Sequence, residues 1–202
     1  ASAQNIARTL AFTATDRGLN IMPLFHIHGL IAGVLAPLAA GSSVFCTPGF
    51  NALKFFAWMD EAAPTWYTAV PTMHQAILGR ASRSADVIAR NPLRFLRSSS
   101  SSIPPQVIRE LEEVFHAPLI EVYGMTENCG VSHATVPGVQ RPGTVGLPYE
   151  GVLSRIDPAN GEIQMKSPAV MQGYYKAPEQ TRDAITADGW LRTGDVGVVD
   201  DD

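Results

Sequence analysis

Three short polar segments stand out in a chain that is otherwise rich in apolar residues. PLFHIHGL contains His26 and His28, a run of serines occupies positions 98–102, and YGMTEN contains Thr126 and Glu127. Imidazole, hydroxyl and carboxylate groups are the side chains that bind small polar ligands and transfer protons. His26 and His28 lie two residues apart and would point in opposite directions on a strand, so they would make a poor metal pair.

Each polar segment follows a predicted strand. Up to about residue 136, short β-prone runs alternate with longer runs of helical period, which predicts an α/β fold with a doubly wound, mainly parallel sheet flanked by helices. Ligands bind beyond the carboxyl ends of the strands in such sheets, so the three segments are expected on one rim. The predicted strands are Leu19–Met22, Ser43–Cys46, Thr65–Ala69, Leu93–Arg97 and Leu119–Val122.

The sequence divides into two parts of different character. Residues 1–136 are predicted to form the α/β subdomain, in which one helix begins at Pro104 and Pro105 and another is capped by Asn51. Beyond that point Gly and Pro recur at short intervals and β-rich runs replace the helical period, so 137–202 is predicted to form a small β-rich, barrel-like subdomain. Its clearest strands are Gly151–Ile156 and Glu162–Lys166.

Composition and charge narrow the possible functions. The 202 residues are 46% hydrophobic and 17% charged, and the formal net charge is −4. Lys and Arg form no cluster, which argues against a nucleic-acid partner. The two distant cysteines indicate neither a disulfide framework nor a thiolate metal site, and the longest apolar run, 29–40, is too short to cross a membrane. We expect a cytoplasmic protein, with the peroxisome as the alternative for a eukaryotic source, and the oligomeric state stays open.

Several sequence motifs that commonly mark ligand-binding loops at the edge of such sheets are missing. The sequence contains no Gly-x-Gly-x-x-Gly, no Gly-x-x-x-x-Gly-Lys and no Gly-x-Ser-x-Gly. These motifs mark dinucleotide-binding turns, phosphate-binding P-loops and the nucleophile turn of serine hydrolases. The sequence therefore argues against a dehydrogenase, a P-loop NTPase and a serine hydrolase.

A family resemblance accounts for the polar segments together. PLFHIHGL, LRSSSSSIPP, YGMTEN, RPGTVG, GEIQMKSPAVMQGYY and GWLRTGD resemble, in the same order, the motifs of the adenylate-forming acyl-CoA synthetases, and among them most resemble oxalate–CoA ligases and related small-acid CoA ligases. The resemblance implies an enzyme that uses ATP and Mg²⁺ to convert a carboxylic acid to an acyl-adenylate and then transfers the acyl group to CoA. A small or polar acid is expected.

The resemblance also implies roles for the first two segments. His26 matches the family histidine that lies beside the reacting carboxylate and phosphate, where a ring N–H could stabilise the transition state; the alternative is an ordinary hydrogen-bonded loop histidine. His28 is expected to shape the acyl pocket, or simply to pack. Ser99, Ser100 and Ser101 match a turn of small residues along the adenine and the acyl group, although helix capping would explain serines equally well.

The third segment matches the nucleotide-binding turn of the family. Tyr123 would stack on adenine, Gly124 would let the backbone approach the substrate, and Met125 would contact the nucleotide. The Thr126 hydroxyl would bond the α-phosphate, and the Glu127 carboxylate would hold Mg²⁺. By itself the pentapeptide could be an unremarkable turn between a strand and a loop.

Two later motifs complete the expected site. Val145 and Gly146 belong to a glycine-rich turn that would back the acyl pocket, and Asp195 would accept both ribose hydroxyls; ordinary turns are the alternative for each. Tyr174 and Tyr175 are interpreted as packing residues of the β subdomain.

The pattern also departs from that of oxalate–CoA ligases. Gly130 stands where those enzymes place a histidine that helps to bind the second carboxylate, and His133 is a candidate replacement. The resemblance further implies a phosphate loop before Ala1 and a C-terminal domain with an adenylation lysine after Asp202. We therefore expect no ligase activity from the 202 residues by themselves.

Two alternatives remain open at the level of sequence. One is an adenylation domain that passes the acyl group to a carrier thiol instead of CoA. The other is a non-catalytic module that binds a nucleotide without the chemistry.

Overall fold

The fold is taken from a computed structural model that describes residues 1–135, 141 and 143–200. Its strands form two sheets, and the larger has the order β2-β1-β3-β4-β5-β6-β7 within the described ranges. Neighbours among the first five strands of that order pair in parallel, whereas β6 and β7 are antiparallel. The bounds are β1 Arg17–Asn20, β2 Ser43–Cys46, β3 Trp66–Ala69, β4 Phe95–Ser98, β5 Leu119–Tyr123, β6 His133–Ala134 and β7 Leu147–Pro148.

Helices cover the larger sheet, so the predicted doubly wound α/β fold is confirmed. Adjacent strand residues point to opposite faces: Tyr67 and Leu96 pack in one apolar cluster, whereas Trp66 and Phe95 pack in the other. The helices are α1 Ser2–Thr9, α2 Ala36–Ala39, α3 Phe55–Ala62, α4 Pro71–Ala81, α5 Ala85–Arg90, α6 Pro105–Phe115 and α7 Pro178–Ala184. A π-helical segment, His28–Leu35, leads into α2.

The first strand ends earlier than predicted. Pairing in β1 stops at Asn20, which lies opposite Cys46 at the end of β2 and opposite Thr68 in β3. The backbone N–H of Met22 donates to the Asn20 side chain instead of to a neighbouring strand. Ile21 and Met22 are buried beyond the end of the ladder, so their apolar character reflects packing and not strand pairing.

The helix starts follow local rules. Helix α6 begins at Pro105 as expected and buries Ile108, Leu111 and Phe115 on one face. The Asn51 side chain accepts hydrogen bonds from the N–H groups of residues 53 and 54, but the helix itself begins at Phe55. Asn51 therefore caps a turn that precedes α3.

A small antiparallel sheet follows the larger one. Its order is β10-β9-β8, with β8 Leu153–Ile156, β9 Glu162–Lys166 and β10 Leu191–Val196. The expected division at residue 136 does not coincide with the break between the sheets, because β7 pairs with β6 and extends the larger sheet to Pro148. An edge strand leaves backbone groups unpaired, and β7 satisfies those of β6. Across the described ranges, no helix has the length and apolar character required to span a bilayer.

Candidate functional site

A cavity of about 560 Å³ lies at the carboxyl ends of β4 and β5, where the small sheet meets the rim of the larger one. Such an edge is where open α/β sheets bind ligands. Residues from both sheets line the cavity: Ser98, Ser100, Ser101, Ser102, Ile103, Glu121, Val122, Tyr123, Gly124, Gly143, Thr144, Val145, Ile163, Asp195 and Val196.

The cavity brings together six of the residues predicted from sequence, namely Ser100, Ser101, Tyr123, Gly124, Val145 and Asp195. The remaining predicted residues do not line it: His26, His28, Ser99, Met125, Thr126, Glu127 and Gly146. One of these, His28, is nevertheless hydrogen-bonded to the cavity wall through Ser100.

Tyr123 and Asp195 join the two sheets across the cavity. The Tyr123 hydroxyl donates a 2.6 Å hydrogen bond to Oδ2 of Asp195, which is distant in sequence. Burial, and then the Asp195 carboxylate, raise the pKa of the Tyr123 phenol above its usual value, so the group is a donor at neutral pH. The second carboxylate oxygen of Asp195 is available to accept a ligand hydroxyl, as a ribose would require.

The serine run is not uniform. Ser98 and Ser99 are both buried, but only Ser98 lines the cavity, and its Oγ has no hydrogen-bond partner among the described residues. Ser100 lines the cavity with φ +76°, a left-handed conformation that residues other than glycine rarely adopt. The run is therefore a strained turn on the cavity wall.

His28 lies behind this wall. Its Nδ1 lies 3.2 Å from Ser100 Oγ, and its Nε2 is hydrogen-bonded to Thr68 Oγ1. Burial lowers the pKa of His28 well below its usual value, and the charges of Arg97, His26 and His74 lower it further. The ring is therefore neutral, with one nitrogen donating and the other accepting.

His26 is exposed at the rim, two residues before His28. The backbone N–H of His28 donates to Nδ1 of His26 over 3.1 Å. An accepting Nδ1 leaves the proton of the neutral ring on Nε2, so His26 can present an N–H to a ligand.

A tight turn carries the YGMTE residues past the cavity. A Cβ on Gly124 would lie 2.6 Å from the carbonyl oxygen of Gly130 and 2.7 Å from Cα of Val131, so only glycine fits there. Asn128 is buried and holds the turn together: its Oδ1 accepts from the Met125 N–H at 3.1 Å. The short helical turn Thr126–Asn128 leaves the Thr126 side chain exposed.

Two residues that follow β9 in the chain hold Glu127 in place. The Tyr174 hydroxyl donates to Oε1 of Glu127 at 2.8 Å, and the Met171 N–H donates to the Glu127 carbonyl at 2.7 Å. The sequence suggested that Tyr174 only packs within the β subdomain. The structure shows that it also contacts a predicted site residue. Oε2 remains available for a cation.

The surroundings of Glu127 fit Mg²⁺ better than a transition metal. Within the described part of the chain, no three His, Cys, Asp or Glu side chains form a group that could hold a metal ion. Mg²⁺ is commonly bound by one or two carboxylates together with phosphate oxygens and water. Glu127 alone could supply the protein ligand if a phosphate supplied the others.

The glycine-rich turn closes the cavity on its far side. Gly146 has φ +72°, and a Cβ there would lie 2.1 Å from the Ala134 carbonyl oxygen, so the turn packs directly on β6. Next to it, Glu121 on β5 lines the cavity and accepts a 3.3 Å hydrogen bond from the Gly143 N–H. Burial raises the pKa of the Glu121 carboxyl group.

His133 does not reach the cavity. Its two ring nitrogens are hydrogen-bonded to Ser132 and Ser154 at 3.0 and 3.1 Å, and the ring is buried. Burial lowers its pKa, so the neutral ring is fully satisfied by the two serines. The structure thus gives no support to His133 as a replacement for a ligand-binding histidine at position 130.

Several residues of the site escaped prediction from the sequence. Ser98, Thr68, Arg97 and Glu121 are strand residues, and Asn128 lies in a turn. A usable signal was present for Arg97 and Glu121, since a charged residue within a strand that is buried on both faces is rarely there for packing alone. No local signal marks Thr68, because its role depends on a loop from a distant part of the chain.

Comparisons with known proteins identify a family for this chain. The sequence profile described as AMP-binding enzyme matches residues 1–175. The chain is 38% identical to an oxalate–CoA ligase of Arabidopsis thaliana and 39% identical to a sulfoacetate–CoA ligase of Cupriavidus necator; it is covered completely in both cases but spans only 41% of each relative.

Solved structures give the same result. A malonyl-CoA ligase in a ternary product complex with methylmalonyl-CoA and AMP superposes with a TM-score of 0.87 and 30% identity, covering 98% of this chain and 45% of that one. The likeness therefore extends along nearly all of the chain in both sequence and fold. The chain belongs to the AMP-binding enzyme family, as the ordered motifs predicted.

Proposed function

We propose that the full-length protein is an ATP-dependent acid–CoA ligase for a small or polar carboxylic acid. A carboxylate oxygen of the acid would attack the α-phosphorus of ATP, and pyrophosphate would leave to give an acyl-adenylate. The CoA thiol would then displace AMP and form the thioester. Because the chain spans about 41% of the relatives compared above, the activity, the substrates and the cofactors are proposed for the whole protein.

One observation carries the proposal: an aromatic ring, a carboxylate with a free oxygen and hydroxyl groups surround one cavity at the rim of the sheet. Tyr123 offers its ring for stacking on a base, and Asp195 can accept from ribose hydroxyls. Ser100 and Ser101, which are exposed, offer hydroxyl groups on the same wall. A nucleotide with an attached acyl group combines the features that these residues would recognise.

The residues outside the cavity would act on the phosphate. The exposed Nε2–H of His26 would donate to the negative charge that develops on the carboxylate and phosphate oxygens, and Thr126 would donate to the α-phosphate. Removing one such donor typically lowers the rate about 10²- to 10³-fold. Glu127 would hold Mg²⁺, which would neutralise phosphate charge when bound.

The relatives support a small acid. The names of the compared proteins specify oxalate, sulfoacetate and malonyl-CoA. All three acids are short and carry a second anionic group.

The test is a substrate screen of the full-length protein. Pyrophosphate release and thioester formation would be measured with oxalate, malonate, sulfoacetate, short monocarboxylic acids, aromatic acids and long fatty acids. We expect the highest kcat/KM with a short acid and a strict requirement for ATP, Mg²⁺ and CoA. A preference for long fatty acids would contradict the small-acid assignment.

The same screen separates the alternatives. Pyrophosphate release that CoA does not affect would favour an adenylation domain that uses a carrier thiol. Nucleotide binding without pyrophosphate release, for any acid, would favour a non-catalytic module. The cytoplasm remains the proposed compartment, since the cysteines Cys46 and Cys129 are both free.

A further inference from the structure

A buried amide side chain belongs to the turn that carries Thr126 and Glu127. Asn128 is only 2% exposed, although asparagine is mostly found on protein surfaces. The Met125 N–H can only donate, so Oδ1 of Asn128 faces it at 3.1 Å, and Nδ2 donates to Sδ of Met165 at 3.3 Å. A buried polar group is costly unless it is hydrogen-bonded, so these two contacts fix the position of the amide.

The contact with Met165 ties the turn to the small sheet. Met165 is 1% exposed in β9, the central strand of that sheet, where it lies opposite Ser154 in β8 and Leu191 in β10. Its thioether is a weak acceptor, but among the described residues it is the partner of the Asn128 amide nitrogen. Asn128 therefore connects the turn to a strand that is paired on both sides.

The backbone of the turn needs this support. The chain leaves the turn through Cys129 and Gly130, which have φ +63° and +93°. A left-handed conformation is rare for a residue such as cysteine and persists only where the surroundings enforce it. The N–H groups of Asn128 and Gly130 donate to the Met125 carbonyl at 3.3 and 2.9 Å, and the Ser2 hydroxyl donates to the Cys129 carbonyl at 2.8 Å. The Asn128 side chain completes this set of bonds at the Met125 N–H.

Thr126 and Glu127 lie between these fixed points. The Thr126 side chain is exposed and forms no hydrogen bond within the described part of the chain, so its position depends on the backbone of the turn. The Glu127 carbonyl accepts from the Met171 N–H at 2.7 Å. A misplacement of about 1 Å in groups that position a reacting centre can cost about 10²-fold in rate. The two residues proposed to act on the phosphates and Mg²⁺ thus depend on Asn128 for their placement.

We propose that Asn128 is a positioning residue for the adenylation step, which it serves by holding Thr126 and Glu127 against the small sheet. This inference rests on the proposed ligase function and extends it. In the first step the acid's carboxylate attacks the α-phosphorus of ATP, and the leaving pyrophosphate carries charge that Mg²⁺ at Glu127 would neutralise. In the second step the CoA thiolate displaces AMP from the acyl carbon after pyrophosphate has left. Loosening the turn should therefore slow the first step more than the second.

The experiment measures the two steps separately in the full-length protein. The first is followed as single-turnover pyrophosphate release, with malonate, oxalate or sulfoacetate as the acid, whichever the substrate screen selects. For the second, the enzyme is loaded with acyl-adenylate by incubation with ATP, Mg²⁺, the acid and a pyrophosphatase. Thioester formation is then followed by rapid quench after CoA is added. Urea unfolding reports the stability of each variant.

Two variants break the proposed link at different points. Asn128→Leu keeps a similar volume and removes both side-chain hydrogen bonds. Met165→Leu keeps the apolar packing and removes only the acceptor of the Asn128 amide nitrogen, so it keeps the test valid if Asn128→Leu does not fold. The matched controls are Asn91→Leu and Met59→Leu, since Asn91 and Met59 are also buried but neither lines the cavity.

We expect Asn128→Leu to lower the rate of pyrophosphate release about 10- to 100-fold, whereas transfer to CoA slows less than about fivefold. The Mg²⁺ concentration for half-maximal release should rise, because the Glu127 carboxylate loses part of its support. Met165→Leu keeps the contact with Met125, so the first step should slow only about 3- to 10-fold. The double variant should lose little more than Asn128→Leu, because both substitutions break one link.

The outcomes are distinguishable. Each control should change the two rates by the same factor, as expected for a loss of folded protein. The same behaviour in Asn128→Leu, or in Met165→Leu if the other variant does not fold, would indicate a purely structural residue and overturn the positioning role. Unchanged rates in both variants would overturn it as well. A wild-type protein that releases no pyrophosphate with any acid would instead contradict the proposed function.

Discussion

The Tyr123 hydroxyl donates a 2.6 Å hydrogen bond to Oδ2 of Asp195. The bond joins β5 of the larger sheet to β10 of the small sheet, and both residues line the cavity. It fixes one oxygen of the carboxylate and leaves the other for a ligand. The two residues should therefore contribute differently to nucleotide binding.

Replacing each partner separates these contributions in the full-length protein. Asp195→Ala should weaken AMP binding about 10- to 100-fold, because hydrogen bonds from ligand hydroxyls to a charged group would be lost. Tyr123→Phe keeps the ring for stacking and should weaken binding less than about threefold. Calorimetric titration with AMP measures both, and an equal loss in the two variants would show that the Tyr123 hydroxyl matters as much as the Asp195 carboxylate.

Gly124 should tolerate no side chain. A Cβ there would meet backbone atoms at 2.6 and 2.7 Å, and neither can move without distorting the turn. We expect Gly124→Ala to lower the free energy of unfolding by about 1–3 kcal/mol. Gly79→Ala is the matched control: Gly79 lies in α4, and a Cβ added there would have no atom within 4 Å.

The control should move stability in the opposite direction. Alanine in the interior of a helix is favoured over glycine by about 0.5–1 kcal/mol. Urea unfolding measures both variants. Equal stability of the Gly124→Ala variant and the wild type would mean that the turn adapts, and the steric argument would be wrong.

Tyr174 should influence the Mg²⁺ requirement. Its hydroxyl bonds Oε1 of Glu127 at 2.8 Å and so orients the carboxylate that is proposed to hold the cation. Tyr174→Phe should raise the Mg²⁺ concentration for half-maximal pyrophosphate release a few-fold, because one restraint on the carboxylate is lost. Tyr175→Phe, at a side chain that is mostly exposed, should leave it unchanged. An identical response of both variants would rule out the orienting role.

His74 should make stability depend on pH. It is fully buried between Tyr67 and the Arg97 carbonyl, and burial lowers its pKa from 6.5 to about 4. The unfolded chain therefore binds this proton more readily than the folded one. The contribution of the neutral His74 ring to stability is fully present above pH 6.5 and is lost as the pH falls towards 4. Over that range the free energy of unfolding falls with a limiting slope of about 1.4 kcal/mol per pH unit.

The comparison with His74→Gln isolates this effect. Urea unfolding at several pH values between 7.5 and 4.5 should give a flatter curve for the variant, whose side chain does not titrate. His28 and His133, whose pKa values burial also lowers, remain in both proteins, as does Glu121, whose raised pKa acts in the opposite direction. Parallel curves would contradict the assignment to His74.

The fold class and the family could be predicted from sequence because their signals are local or ordered along the chain. Strand residues alternate between the two faces at a period of two. A proline such as Pro105 favours a helix start through its own backbone geometry, without help from distant residues. The strands 43–46 and 162–166 were predicted at their observed bounds. The end of β1 was not, because no local signal shows that the Met22 N–H donates to the Asn20 side chain instead of to a neighbouring strand.

The partners within the site were decided by the tertiary structure. Nothing near Arg97 in the sequence indicates that it contacts Thr68, and nothing near Glu127 points to Tyr174, which lies on another part of the chain. Within the serine run, the twist of β4 and the turn at Ser100 determine which hydroxyls face the cavity. By itself, the sequence determined the kinds of group at the rim and their order. Only the tertiary structure decided which groups meet, because those contacts join residues far apart in the chain.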